Sequence, residues 1–224
     1  FLGGKVADGT AVHGVVHGRI QMNKRTFVIS ELMQNNFIEE TEQKVLLEET
    51  EESGKSLLKV QLPNAQKIFC IKNVDKKHTD MYFFKADQKY SMMKRVDHII
   101  LEYTEDDTWN LHLIEMKSSV GVQKWIEVKG KFRASYLVSQ AIAAMLEIPL
   151  DHTYLYTTYE KECFDTCSET MPVERRVRTG NIPPKREWES GRVELNFGEK
   201  IPFDHEKVQM SRNTDGLKGN VQMK

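Results

Sequence analysis

Two apolar segments, Arg95–Tyr103 and Trp109–Lys117, are separated by five residues, Thr104-Glu105-Asp106-Asp107-Thr108, that are polar throughout. So short a polar connection predicts an antiparallel hairpin, and a hairpin fixes which side chains meet. Tyr103 should face Trp109, Leu101 face Leu111, Ile99 face Leu113, and Asp97 face Glu115. Alternation places Lys117 on the same face as Glu115. A slip of one residue would scatter this set to opposite faces, so the pattern specifies its own register. The predicted face runs from an apolar floor to two carboxylates and a lysine at one end. Directly opposed Cβ atoms lie about 4.5–5.5 Å apart, and carboxylates that close repel unless a proton or cation lies between them. A hard divalent cation, Mg²⁺ or Mn²⁺, suits such oxygen donors. A lysine beside it can help deprotonate a water and stabilise charge on a phosphate. Metal-assisted phosphodiester hydrolysis is the chemistry this set predicts.

The net charge of −1, from 32 basic and 33 acidic residues among 224, excludes a generic polycation that binds nucleic acid by charge alone. That balance is an average over segregated blocks. Residues 31–54 hold eight acids against one base, whereas 67–95 hold eight bases against three acids. Residues 124–133 and 172–192 are also basic, so positive blocks bracket the hairpin. No apolar run approaches the roughly 20 residues of a membrane span. The start at Phe1 lacks a Met and a signal-like segment, which predicts a trimmed chain without a signal peptide. Three cysteines, Cys70, Cys163 and Cys167, fit a reduced, intracellular (cytoplasmic) protein better than a disulfide scaffold.

Periodicity predicts three segments along the chain. Residues 1–54 form an N-terminal segment with an acidic helix from Arg25 to about Glu49. Residues 55–160 form the core, with strands at Lys55–Leu62, Lys67–Val74, Met81–Lys85 and the hairpin, a helix at Lys131–Ile148 stopped by Pro149, and a strand at Thr153–Tyr159. Residues 161–224, rich in Pro, Gly and polar residues, read as an irregular C-terminal arm with one short strand near Arg192–Phe197. The fold class expected is α/β, with a mixed central β-sheet flanked by helices.

Val96-Asp97-His98-Ile99-Ile100, a turn, then Leu113-Ile114-Glu115-Met116-Lys117 resembles the motif of the PD-(D/E)XK nuclease superfamily, in which an Asp ends one strand and E-x-K lies on the next. The resemblance covers roughly residues 25–160 and implies a restriction-endonuclease-like core. It implies a Mg²⁺- or Mn²⁺-dependent nuclease, with DNA favoured over RNA as partner. Carried over, Asp97 and Glu115 would be metal ligands, the main-chain carbonyl of Met116 a third, and Lys117 the catalytic lysine. The family's added glutamate from the first helix would be Glu31, with Glu39 and Glu40 as alternatives, and that first core helix would lie within residues 25–50. Val96 stands where the family usually has Pro. Gln140 is followed four residues later by Ala144 rather than Tyr, which leaves one sub-signature incomplete. Members with an iron–sulfur cluster need four cysteines, and this chain has three.

Other residues carry weaker expectations. Lys124, Lys129, Lys131 and Arg133 could track a phosphate backbone or form a solvated face. Ser118 and Ser119 could bond a phosphate or simply end the strand, and Gln140 is an accessory candidate. Trp125 and Phe132 fit core anchors better than base-stacking platforms. His98 and His112 fall on the face opposite Asp97 and suit structural hydrogen bonding. His13 and His17 suit a Gly-rich loop better than a metal site. Cys163 and Cys167 would need two further zinc ligands, for which His152 and Cys70 are conceivable. Arg175, Arg176, Arg178, Lys185, Arg186 and Arg192 could wrap nucleic acid or a partner. Against the nuclease stand a Lys–Glu pair on an edge hairpin with Asp97 merely solvated, the same fold without its chemistry, a non-catalytic nucleic-acid- or protein-binding module, and a structural subunit docked through the acidic helix.

Overall fold

The computed structural model describes residues 23–51, 54–74, 91–106, 108–164 and 182–224. The Met81–Lys85 strand, His13, His17, Cys167, Arg175, Arg176 and Arg178 lie outside them. The fold is α/β, built on a mixed sheet with few helices.

The hairpin forms in the expected register. Strands β5 (His98–Thr104) and β6 (Trp109–Met116) pair Tyr103 with Trp109, Leu101 with Leu111 and Ile99 with Leu113. The preceding strands are β1 (Ile38–Thr41), β2 (Lys44–Glu51), β3 (Gly54–Gln61) and β4 (Ala65–Ile71). After β6 come the short β7 (Ser119–Val120), helix α2 (Val122–Met145), β8 (Leu150–Tyr159) and the two-residue β9 (Lys161–Glu162). β4, β5 and β6 run antiparallel, and α2 carries the chain back so that β8 lies parallel to β6.

Helix α2 starts nine residues before the expected Lys131. Trp125, Val128, Phe132, Ser135, Val138 and Ile142 are all buried at helical spacing, so one stripe runs through both halves. Gly130 masks that continuity in the sequence, since an interior glycine disfavours helix by about 1 kcal/mol. Gly121 precedes the helix where a Cβ would stand 2.9 Å from the Cys163 carbonyl oxygen.

The acidic helix is corrected. Only α1 (Lys24–Phe27) and a π turn at Val28–Leu32 are helical there, and β1 and β2 follow. Leu47 is buried and Val45 half-buried while Leu46 between them is exposed, a period of two rather than 3.6. Burial of that face overrides the helix propensity of the glutamates.

The irregular arm is corrected as well. Helix α3 (Pro184–Glu189) leads into β10 (Arg192–Asn196), β11 (Lys200–Gln209), β12 (Ser211–Asn213) and β13 (Gly216–Gln222). β11 pairs in parallel with β8, completing a seven-stranded sheet of order β1-β4-β5-β6-β8-β11-β10. β13 pairs in parallel with β3 in a four-stranded sheet, β12-β13-β3-β2. Gly216 is required at that junction: its φ is +128°, and a Cβ there would meet the Lys55 carbonyl oxygen at 2.0 Å.

The layers differ from a sheet with helices on both faces. On one face of the large sheet, Ile99, Leu101, Leu111, Leu113 and Leu155 pack in one cluster with Trp125 and Phe132 of α2. On the other, Ile100, Ile114, Met116 and Tyr156 pack with Leu47, Leu58 and Val60 of the small sheet. β6 is consequently buried along its whole length. No helix among the described residues is long and apolar enough to cross a membrane.

Candidate metal and catalytic site

Where the β5–β6 ladder stops at His98–Ile114, the next pair in register is Asp97 and Glu115. Two anchors hold this end of β5. Ser135 Oγ of α2 accepts the Val96 N–H at 2.8 Å, and the buried Arg95 donates to the Val74 and Met92 carbonyls. Asp97 Oδ2 accepts the Met116 N–H at 2.6 Å, which fixes the carboxylate across the hairpin. Odd-numbered residues of β6 face α2, so Glu115 points beneath the helix, fully buried.

Two lysines converge on it. Lys117 Nζ and Lys131 Nζ each lie 2.6 Å from Glu115 Oε1, and Lys131 also stands 3.6 Å from Asp97 Oδ1. Glu115 Oε2 is buried and has no hydrogen-bond partner among the described residues. Burial first, then the neighbouring Asp97 charge, pushes the Glu115 carboxyl up to about 7, and the two lysines only partly offset them. Burial works against the Lys131 charge, yet Glu115 and Asp97 hold that ammonium above the ordinary lysine range. Four formal charges thus stand together at this end of the hairpin, with Lys117 and Lys131 side chains 19% and 15% exposed.

Asp97, Glu115 and Lys117 are therefore brought together. Glu31 is not: it is exposed on the π turn, where Ser30 Oγ donates to it at 3.2 Å. Glu39 and Glu40 lie on β1 at the sheet edge, paired with Lys72 and Lys67. Among the described residues no three His, Cys, Asp or Glu side chains group to hold a metal. Cys70 is buried, and burial pushes its thiol up to about 12, while His152 is exposed beside Asp151. A two-carboxylate site nevertheless fits Mg²⁺ or Mn²⁺, which take one or two carboxylates and keep several waters. The orphaned Glu115 Oε2 and the Asp97 Oδ1 edge are the oxygens left to offer.

The block Lys124–Arg133 divides. Lys124 is exposed and donates to Ser119 Oγ at 2.8 Å. Lys129 is bound by Glu187 of α3 at 2.7 and 2.8 Å, and Lys131 belongs to the carboxylate pair. Arg133 is half-buried. Gln140 is exposed, donating to Tyr136 Oη, and the Ser118 carbonyl accepts from Glu160 and Lys161 at the strand end. Trp125 and Phe132 are core residues, and His112 is buried on the opposite face beside Glu102 at 3.0 Å.

The chain matches no family model, no curated protein and no solved structure. Sequence reasoning missed Lys131 as a member of the carboxylate cluster. The four-residue step from Lys131 to Ser135 puts both on one face of α2, but only the contact of Ser135 with Val96 sets that face above the start of β5.

Proposed function

We propose that this chain is a Mg²⁺- or Mn²⁺-dependent nuclease with a restriction-endonuclease-like core, hydrolysing phosphodiester bonds, with DNA favoured over RNA. The observation that carries the proposal is the pairing of the part-buried Asp97 with the buried Glu115, which leaves one Glu115 oxygen without a partner among the described residues beside Lys117, whose side chain is 19% exposed. The β4–β5–β6 meander, α2 and parallel β8 support the fold assignment. Asp97 and Glu115 would hold the cation, with the Met116 main-chain carbonyl as a third ligand. The bound cation would supply Lewis acidity and a more acidic water. Asp97 is held for this by the Met116 N–H, so its carboxylate needs no reorganisation. Lys117, at the open edge, places its ammonium where phosphate charge develops and can orient the attacking water.

Purified protein incubated with single- and double-stranded DNA and RNA, with Mg²⁺ or Mn²⁺, tests the proposal. Cleavage lost in both Glu115→Ala and Lys117→Ala is the expected result. No cleavage of any substrate, or unchanged cleavage in those variants, would sink it.

One observation favours a second reading, a non-catalytic nucleic-acid-binding module. Lys131 touches both carboxylates and can neutralise them without a metal. That reading expects salt-dependent binding without cleavage, indifferent to EDTA.

A further inference from the structure

Glu115 has two lysines, and they do not stand in equivalent places. Lys117, just past the end of β6, contacts Glu115 Oε1 and, among the described residues, no other carboxylate. Lys131, from α2, contacts Glu115 Oε1 at 2.6 Å and Asp97 Oδ1 at 3.6 Å, and so bridges the two carboxylates. A cation held by Glu115 Oε2 and Asp97 Oδ1, the oxygens left to offer, would share Asp97 Oδ1 with Lys131 and sit on the carboxylate that Lys131 already contacts. Ammonium and metal held that close repel in a site shielded from water.

We infer that Lys131 is a tethered cation that competes with the divalent metal for Asp97 and Glu115, and that metal binding displaces it. The inference rests on the nuclease reading above and concerns how its site is charged. Without metal, Lys131 compensates a carboxylate pair that would otherwise leave uncompensated charge beneath α2. With metal, the ammonium must leave, and its own helix offers a destination. Glu127 lies one turn earlier, half-exposed and 3.6 Å from Lys94 at the protein surface. Lysine suits this part because its flexible stem moves a compact charge without moving the helix. Metal affinity is reduced by the fraction of molecules in which Lys131 holds the site. Lys117 stays on Glu115 in both states, which separates the catalytic lysine from the competing one.

Calorimetric titration with Mn²⁺, free of nucleic acid, reads the competition directly. Lys131→Gln should bind Mn²⁺ about tenfold more tightly than the unaltered chain, by removal of the competing state. A second measurement needs no variant. Trace acetylation followed by mass spectrometry should show Lys131 protected without metal and several-fold more reactive with saturating Mn²⁺, while the exposed Lys124 stays constant. If the unaltered chain binds Mn²⁺ but Lys131→Gln binds no more tightly and Lys131 stays protected, the inference is overturned and the nuclease reading stands. If neither protein binds Mn²⁺ or Mg²⁺, the metal-dependent reading falls and the inference falls with it.

Discussion

Two glutamates are buried near α2, and each meets a lysine from that helix. Glu187 of α3 is saturated. Its Oε1 accepts from Lys129 at 2.7 Å and from the Glu194 N–H at 3.0 Å, and its Oε2 accepts from Trp125 Nε1 at 3.0 Å and from Lys129 at 2.8 Å. Glu115 is lopsided, with both lysines crowded on Oε1, Oε2 without a partner, and a second carboxylate alongside. A buried charge whose acceptor sites are all filled tethers α2, α3 and β10 together. A buried charge left half-filled beside a like charge is costly, and such arrangements concentrate at functional sites. The contrast separates a structural carboxylate from one built to receive something.

The sharpest way to break that contrast is to neutralise each glutamate isosterically. Glu115→Gln should lower metal-dependent cleavage by about a hundredfold or more, on the scale of losing one preorganised electrostatic contact in an active site. Its melting temperature should fall little, because the change also removes a buried like-charge repulsion. Glu187→Gln should do the reverse. Breaking a buried, hydrogen-bonded pair should lower stability by about 3 kcal/mol, or roughly 6–12 °C in a chain of this size, with cleavage per folded molecule retained. Melting curves and initial rates on the two variants decide the matter. Equal losses of stability and equal losses of cleavage would erase the distinction.

The hairpin was legible because a short polar turn and strict alternation fix register locally, and Asp97, Glu115 and Lys117 came with it. The rest needed information that lies between elements. Glu48 and Glu49 bias β2 toward helix, and only the small sheet's burial of Leu47 makes it a strand. The segment after residue 182 looks irregular because Gly198 and Gly216 interrupt it, yet those glycines make the turns that fold β11 back on β10 and β13 back on β12, while β11 also pairs with β8 and β13 with β3. Lys131 read as one of four basic residues that track a phosphate backbone or form a solvated face. Its role depends on where α2 crosses β5, which Ser135 sets through Val96 and which no local pattern encodes.

His205 extends the structural side of the comparison. It packs with tilted rings against both Trp125 and Trp188, with Nε2 3.0 Å from Thr157 Oγ1, and burial first, then Lys207, pushes its imidazole down to about 3. An unfolded chain protonates this ring near 6.5, so below that pH the unfolded state binds the extra proton. The neutral ring's contribution is whole above about 6.5 and erodes as pH falls toward 3. Melting temperature followed from pH 7 to pH 4 should therefore fall less steeply in His205→Gln than in the unaltered chain. Parallel slopes would mean the ring is already solvated in the folded protein.

The smallest effect is expected at Lys124, and it tests how the basic block is divided. Lys129 and Lys131 are committed to Glu187 and Glu115, so their charge is already balanced before any phosphate approaches. Lys124 is exposed near the start of α2, donates among the described residues to the Ser119 hydroxyl, and follows Lys117 closely in the chain. A phosphate contact there should add affinity without reading sequence. Lys124→Ala should weaken nucleic-acid binding only a few-fold and reduce the slope of log affinity against log salt by about 1, with fluorescence anisotropy as the measurement. Lys129→Ala, by contrast, should leave that slope unchanged and lower the melting temperature, because the charge it removes already belongs to Glu187. If the salt slope instead falls with Lys129 and not with Lys124, nucleic acid must approach from the α3 side. The lopsided pair at Asp97 and Glu115 would then lie away from the bound strand.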